Sequence, residues 1–401
     1  MGKASLLYQR VVCCLLLMAL TAKNHAIVVD VKSKGAKADG RTNDGPAIMD
    51  AWKAACAGPP PSSVLFPPGV YVAFPLVALN GPCKGPIEVK ATGATIKAPP
   101  ALVVFKHPGW IEVMNVDKLT MTGGTYDGQA KQLGRLITTA QIAKHAGYHR
   151  ISDSITNVTN ALVKDVTLAN SKSYHMDIFR CENTRLDHVT IDAPGTSVYN
   201  DGIHIRSSKG VNITNTNIKT GDACITFSYG SKNVHVEKVT CGPGHGFSTG
   251  SLGRAKKEAA IAGIWINNCT ITGAKNGVRI KSLVAGTPGT ASDMHFDDII
   301  MNDVGTPILI DQQYCPEKNC QKGSSKVKIS NVSFRKIRGS SSTKVAMKLD
   351  CSPELPCDNV EMADINLTFK GSGGPATSEC SNVKPKVIGQ VVPPACPGGS
   401  K

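Results

Sequence analysis

The sequence predicts an all-β protein, a solenoid of short strands wound as a parallel β-helix. Three observations lead there. First, one pattern, apolar-x-apolar-x-x-apolar-x-apolar, returns along the chain. It reads Val211-x-Ile213-x-x-Thr216-x-Ile218, Val234-x-Val236-x-x-Val239-x-Cys241, Ile264-x-Ile266-x-x-Cys269-x-Ile271 and Met294-x-Phe296-x-x-Ile299-x-Met301. Further copies are read at Val327-x-Ile329-x-x-Val332-x-Phe334 and Val360-x-Met362-x-x-Ile365-x-Leu367, with shorter ones at Val163-x-x-Val166-x-Leu168 and Leu186-x-x-Val189-x-Ile191. Second, successive copies start roughly 23–33 residues apart, the period of a solenoid coil that buries its face only against its neighbours. Third, 39 glycines and 5% aromatics suit many short strands and turns rather than packed helices. Alternation marks strands with one buried face, and the break in period marks a bend between two of them. A β-propeller blade needs about 40 residues or more, and the leucine-rich signature is absent.

The elements follow in order. Residues 1–26 read as a secretory signal peptide: Lys3 and Arg10 ahead of the apolar run Val11–Ala22, with small Ala26 at the cut. That run is too short for a membrane span, which needs about 20 residues. Residues 27–100 read as a cap, with a helix over Asp44–Cys56 (Ile48, Trp52 and Ala55 on one face) closing the open end of the solenoid. The repeats follow, and a Gly/Ser/Pro-rich tail after Phe369 closes the far end. No linker divides the chain, so 27–401 is expected to be one β-helix domain with a cap and a Cys-containing tail.

Lys and Arg number 45 against 30 Asp and Glu. Removing Lys3, Arg10 and Lys23 leaves 42 − 30 = +12. On a secreted chain this suits an acidic partner, an anionic polysaccharide ahead of lipid or nucleic acid, although a solvated basic surface looks the same. A monomer with no nucleic-acid or membrane partner is expected. Twelve mature cysteines in an oxidising route suit disulfides rather than zinc, since no CxxC occurs. Cys315/Cys320, Cys351/Cys357 and Cys380/Cys396 are close enough for local bridges. Asn157, Asn212, Asn268, Asn331 and Asn366 head sequons, with Asn268-Cys269-Thr270 a candidate for burial.

The chemistry gathers in the middle repeats, at Tyr199-Asn200-Asp201-Gly202-Ile203-His204, Gly221-Asp222-Ala223-Cys224, Gly244-His245-Gly246-Phe247-Ser248 and Arg279-Ile280-Lys281. Asp201, Asp222 and His245 are one coil apart, which predicts a single ladder on one face. Arg279 and Lys281 should project beside it. Two carboxylates can act as acid and base on a glycosidic bond, and cations suit a sugar that carries a carboxylate. An inert polar ladder at the turns would show the same spacing.

These segments resemble polygalacturonases, glycoside hydrolase family 28. The resemblance spans essentially the whole mature chain, from Gly35-Ala36-Lys37-Ala38-Asp39-Gly40 and Phe66-Pro67-Pro68-Gly69-Val70-Tyr71 to Ile310-Asp311-Gln312-Gln313-Tyr314-Cys315. It is most similar to the plant, pollen-type exopolygalacturonases. It implies a single-stranded right-handed parallel β-helix, secreted to the cell wall, that hydrolyses α-1,4-galacturonan with inversion and without metal or cofactor. By the same resemblance Asp222 is the general acid, Asp201 activates water, and His245 supports the acid. Arg279, Lys281 and Tyr314 hold galacturonate, and Cys224 pairs with Cys241.

Two positions depart from the family pattern. Asn-Thr-Asp reads Tyr199-Asn200-Asp201 here, and Gly-Asp-Asp reads Gly221-Asp222-Ala223, so the second water-activating acid is absent. Three readings stand: an active exo-hydrolase, a catalytically silent pectate binder, and a structural β-helix. A pectate lyase would need a calcium-binding acid cluster, which the sequence lacks.

Overall fold

The computed structural model describes residues 26–99, 109–130, 151–197, 200–316 and 319–396. The expected signal peptide and Tyr199 lie outside them. The described strands form two parallel systems, one of 21 strands and one of 11, that wrap a common core. From Ser62–Leu65 onward successive coils contribute to both, whereas the first coil, at 27–43, has strands in the larger system alone. The smaller system runs from Val77–Asn80 to Thr377–Ser381 and carries the candidate site.

The repeat maps onto the larger system. Ile213, Val236, Ile266 and Phe296 stand in register in successive coils and are all buried. The bend in the pattern is a single residue with positive φ. Asp165, His188, Asn215, Lys238, Asn268, Asp298, Lys336 and Asp364 each make it, with φ between 48° and 57°. Left-handed backbone is costly for most side chains and easiest for Asn and Asp, which explains why those residues recur there. One copy is placed differently from the sequence reading. Phe296 pairs with Phe334 and Ile299 with Ile337, so the copy is Val332-x-Phe334-x-x-Ile337-x-Gly339. The alternation misleads because strand Val327–Ser341 starts early and buries Val327 and Ile329 as well, while a glycine fills the last apolar position.

The solenoid also begins earlier than expected. Ile27 pairs with Ser62, Ser62 with Ile87 and Ile87 with Leu119, so residues 27–97 already form coils. Only the helix Gly45–Ala57 is a cap. It buries Ile48, Ala51, Trp52 and Ala55, and Trp52 Nε1 donates to the Asn80 carbonyl at 3.0 Å. Cys56–Cys83 ties its end to the next coil. The other disulfides are Cys224–Cys241, Cys315–Cys320, Cys351–Cys357 and Cys380–Cys396. Cys181 and Cys269 stay reduced and buried. All five sequon asparagines are exposed, Asn268 included, and none lies in a strand of the smaller system.

An inward acid breaks the apolar rule. Asp153 pairs with Met176 and Ile111, faces the core, and leaves both carboxyl oxygens buried without a hydrogen-bond partner among the described residues. Burial pushes its pKa well above the ordinary carboxylate range. The folded chain therefore keeps this proton at pH values where the unfolded chain, ionising near 4, has lost it. Stability is full below about pH 4 and falls as pH rises, by up to about 1.4 kcal/mol per unit, until the folded group ionises. Asp153→Asn cannot ionise. Its Tm relative to wild type should rise steadily from pH 4 to 7 in calorimetric scans. A constant difference across that range would show that Asp153 holds no proton in the core.

Candidate active site

The site lies on the outer face of the smaller sheet and in the turns that enter its strands. The strands are Met176–Phe179, Ile203–Arg206, Ile225–Phe227, Phe247–Leu252, Asn276–Leu283 and Thr306–Tyr314. Ile203, Ile225, Phe247 and Val278 are in register and point inward. The row that points outward next to them is Asp177, His204, Thr226, Ser248 and Arg279.

Counting two residues back from Ile203, Ile225 and Phe247 puts Asp201, Ala223 and His245 in one line. The expected ladder is thus displaced by one residue at its centre. Ala223 stands between Asp201 and His245, and Asp222 sits one position earlier. Register partners on these strands, Ile203 and Ile225, are 225 − 203 = 22 residues apart, whereas Asp201 to Asp222 is 21. That single residue makes the difference.

Asp222 still meets His245. His245 Nδ1 lies 2.6 Å from Asp222 Oδ1, and the same oxygen accepts from the Ala223 amide at 2.9 Å. Two backbone features hold this turn. The Cys224–Cys241 disulfide, two residues after the acid, clamps it to the arm that ends at Cys241. Gly244 has φ +118°, and a Cβ there would run into the Asp222 carbonyl. Asn200 braces the turn before Asp201: its amide donates to the carbonyls of Ser171 at 2.6 Å and Ser173 at 3.1 Å.

The two acids differ in environment. Asp201 is 8% exposed, whereas the Asp222 side chain is 25% exposed. Burial, then the Asp222 charge, push Asp201 up to about 6, against the pull of His204, Thr226 and Lys281. Thr226 Oγ1 donates to Asp201 Oδ2 at 2.9 Å. Burial acts upward on Asp222 too, yet the His245 hydrogen bond and charge, with Lys281 and Arg279, hold it below its ordinary value.

Arg279 Nε donates to Ser248 Oγ at 3.1 Å and Nη1 to Asn276 Oδ1 at 3.1 Å, so the guanidinium is fixed. Lys281 projects in the next outward row, with Nζ 4.9 Å from the centre of the Tyr314 ring. Gly250, at φ +98°, lets the backbone pass close against the Lys281 carbonyl. Burial and neighbouring Arg279 bring the Lys281 ammonium down to about 8.

The structure thus places every candidate side chain on one face. Sequence reading missed Thr226, Asn276 and Asp177, and gave Ser248 no role beyond its place in the 244–248 segment. Thr226 and Ser248 could have been found by counting from Arg279, since all three occupy one register row.

Residues 56–392 match the description "Glycosyl hydrolases family 28". An exopolygalacturonase of Oenothera organensis is 48% identical over 356 residues, 88% of this chain and 98% of that protein. A polygalacturonase of Gossypium barbadense is 46% identical over 387 residues, 96% and 94% of the two chains. Among solved structures, an endo-xylogalacturonan hydrolase from Aspergillus tubingensis shares the fold at TM-score 0.76 and 21% identity, covering 93% of this chain and all of that one (100%). An exopolygalacturonase from Thermotoga maritima does so at TM-score 0.66 and 16% identity, covering 92% and 91%. The match runs through every strand that carries the site, and on that ground the chain belongs to glycosyl hydrolases family 28.

Proposed function

We propose that the chain is a secreted, cell-wall exopolygalacturonase that hydrolyses α-1,4-galacturonosyl bonds with inversion. The observation that carries this is the Asp222–His245 contact of 2.6 Å on the same face as Arg279 and Lys281. Asp222 is the acid for the leaving oxygen, Asp201 takes the proton from the attacking water, and Tyr314 lines the sugar site beside Lys281.

The low pKa of Asp222 in the free site is compatible with an acid role. Lys281 and Arg279 are among the groups that depress it. A galacturonate carboxylate bound to them cancels that positive field, so substrate binding lifts Asp222 toward its protonated form. The uronic acid would thereby arm the group that cleaves its own bond.

The test is product analysis. The chain from Ile27, incubated with trigalacturonate and polygalacturonate at mildly acid pH, should release monogalacturonate first from both, with the inverted anomer visible by proton NMR. A ladder of oligomers from the polymer would replace exo by endo action. Ala223 favours one other reading, a pectate-binding protein without turnover. Silence from the native chain, with activity restored in Ala223→Asp, would establish it.

A further inference from the structure

Ala223 leaves Asp201 without the second acid at its side, yet the neighbouring outward row holds an unexplained pair. Asp177 is buried, its side chain 1% exposed, and His204 Nδ1 lies 3.4 Å from its Oδ1. Arg206 grips the same carboxylate with two bonds, Nε to Oδ1 at 3.0 Å and Nη2 to Oδ2 at 2.8 Å. Arg206 in turn lies over Phe179, 3.8 Å from the ring centre. Such a fork fixes the carboxylate; His204 Nδ1 is buried facing it at ion-pair distance, with no hydrogen-bond partner among the described residues. The Tyr174 ring packs edge-on against His204 at 4.4 Å between centroids.

His204 lies near enough to Asp201 for its charge to act on that carboxyl, and the chain brings the two together by two routes. It follows three residues later, on the strand that the Asp201 turn enters. It is also the register partner of Thr226, whose hydroxyl donates to Asp201 at 2.9 Å. Its side chain is 11% exposed, enough to exchange a proton with solvent.

We infer that the Asp177–His204 pair serves Asp201 as a proton relay and takes over the role left vacant at Ala223. The inference rests on the hydrolytic reading above. As the water oxygen bonds to the anomeric carbon, the bond to the leaving oxygen breaks, and that oxygen takes the Asp222 proton. One water proton goes to Asp201. Asp201 passes it to the His204 imidazole, where Asp177 stabilises the positive charge, and His204 releases it to solvent. Asp222 regains a proton from solvent by way of His245. One water is consumed and no net proton is gained or lost. The charged and titratable groups around His204 are Asp177 and Tyr174 from the preceding coil, Arg206 on its own strand, and Asp201 in the turn before that strand. Asp222 lies one coil further on and Lys281 three.

The test is a cycle on the mature chain with His204→Gln, Ala223→Asp and the double variant, reading kcat on trigalacturonate against pH. Glutamine can still donate to Asp177 but cannot carry a proton. The relay predicts a loss of about 30-fold for His204→Gln in the native background, within the range of general-base assistance. In the Ala223→Asp background the same substitution should cost about threefold or less, because the restored carboxylate accepts the water proton itself. The acid limb should shift in the native background only. Equal losses in both backgrounds would overturn the relay and leave His204 a packing residue. Should His204→Gln fold poorly by circular dichroism, His204→Asn replaces it in the same cycle. No turnover by the native chain overturns this inference together with the hydrolytic reading, whereas equal losses overturn the relay alone.

Discussion

Replacing Asp222 by Asn is expected to lower kcat on polygalacturonate by about 10³-fold, within the range for losing a general acid, while Kd for trigalacturonate changes less than about threefold. Asparagine keeps the planar shape and can still accept the Ala223 amide through Oδ1, a contact now at 2.9 Å. What it lacks is a proton for the leaving oxygen. The Arg279 and Lys281 positions are untouched, so binding survives. Turnover is read from reducing ends and affinity from calorimetry on the same preparation. Equal turnover by wild type and variant would remove Asp222 from the acid role. The expected split also separates chemistry from recognition, because only an interaction made in the transition state lowers kcat while leaving binding alone.

Lys281→Ala should act the opposite way. A charged hydrogen bond to a carboxylate contributes about 1.5–3 kcal/mol, so kcat/KM for trigalacturonate should fall about 100-fold, at roughly 1.36 kcal/mol per decade. The methyl-esterified trimer, which has no carboxylate to hold, should lose far less. Equal losses on both would mean that the ammonium only packs against Tyr314. The pH dependence gives a second readout. Burial and Arg279 bring Lys281 down to about 8, so the cation is present below that pH and is lost as pH rises through it. Wild-type affinity for galacturonate should therefore weaken above about pH 8, and the variant should show no such step.

Much of this molecule is legible in its sequence. Period-2 alternation placed the coils from Val163 onward, because a buried strand face leaves a two-residue signature. The same signal failed at Val327–Phe334, where an over-long buried strand has no marked beginning. The N-terminal coils were read as a cap because Ile27–Asp30, Ser62–Leu65 and Ile87–Lys90 are four residues each, too short to show a period. At the site, residue types and motif order pointed to Asp201, Asp222, His245, Arg279 and Lys281, which the fold brings to one face. Their register was not legible: coil length read from the motifs differs by one residue from the strand register, and only the strands reveal that Ala223 holds the place between Asp201 and His245. The Asp177–Arg206 fork was hidden for another reason. Its members are 29 residues apart, and nothing local marks them as partners.

The one-residue corner has a consequence for how such a chain can change. A bend made by a single left-handed residue admits no insertion without throwing the next strand out of phase. Any gain or loss of residues is therefore displaced to the two margins of the smaller sheet, where turns such as 228–231 and 253–260 already differ in length. Those margins flank the face that carries the candidate site. The molecule is thus built like a loom with a fixed warp: the stacked core sets the frame, and the edge that flanks the candidate site can be rewoven coil by coil.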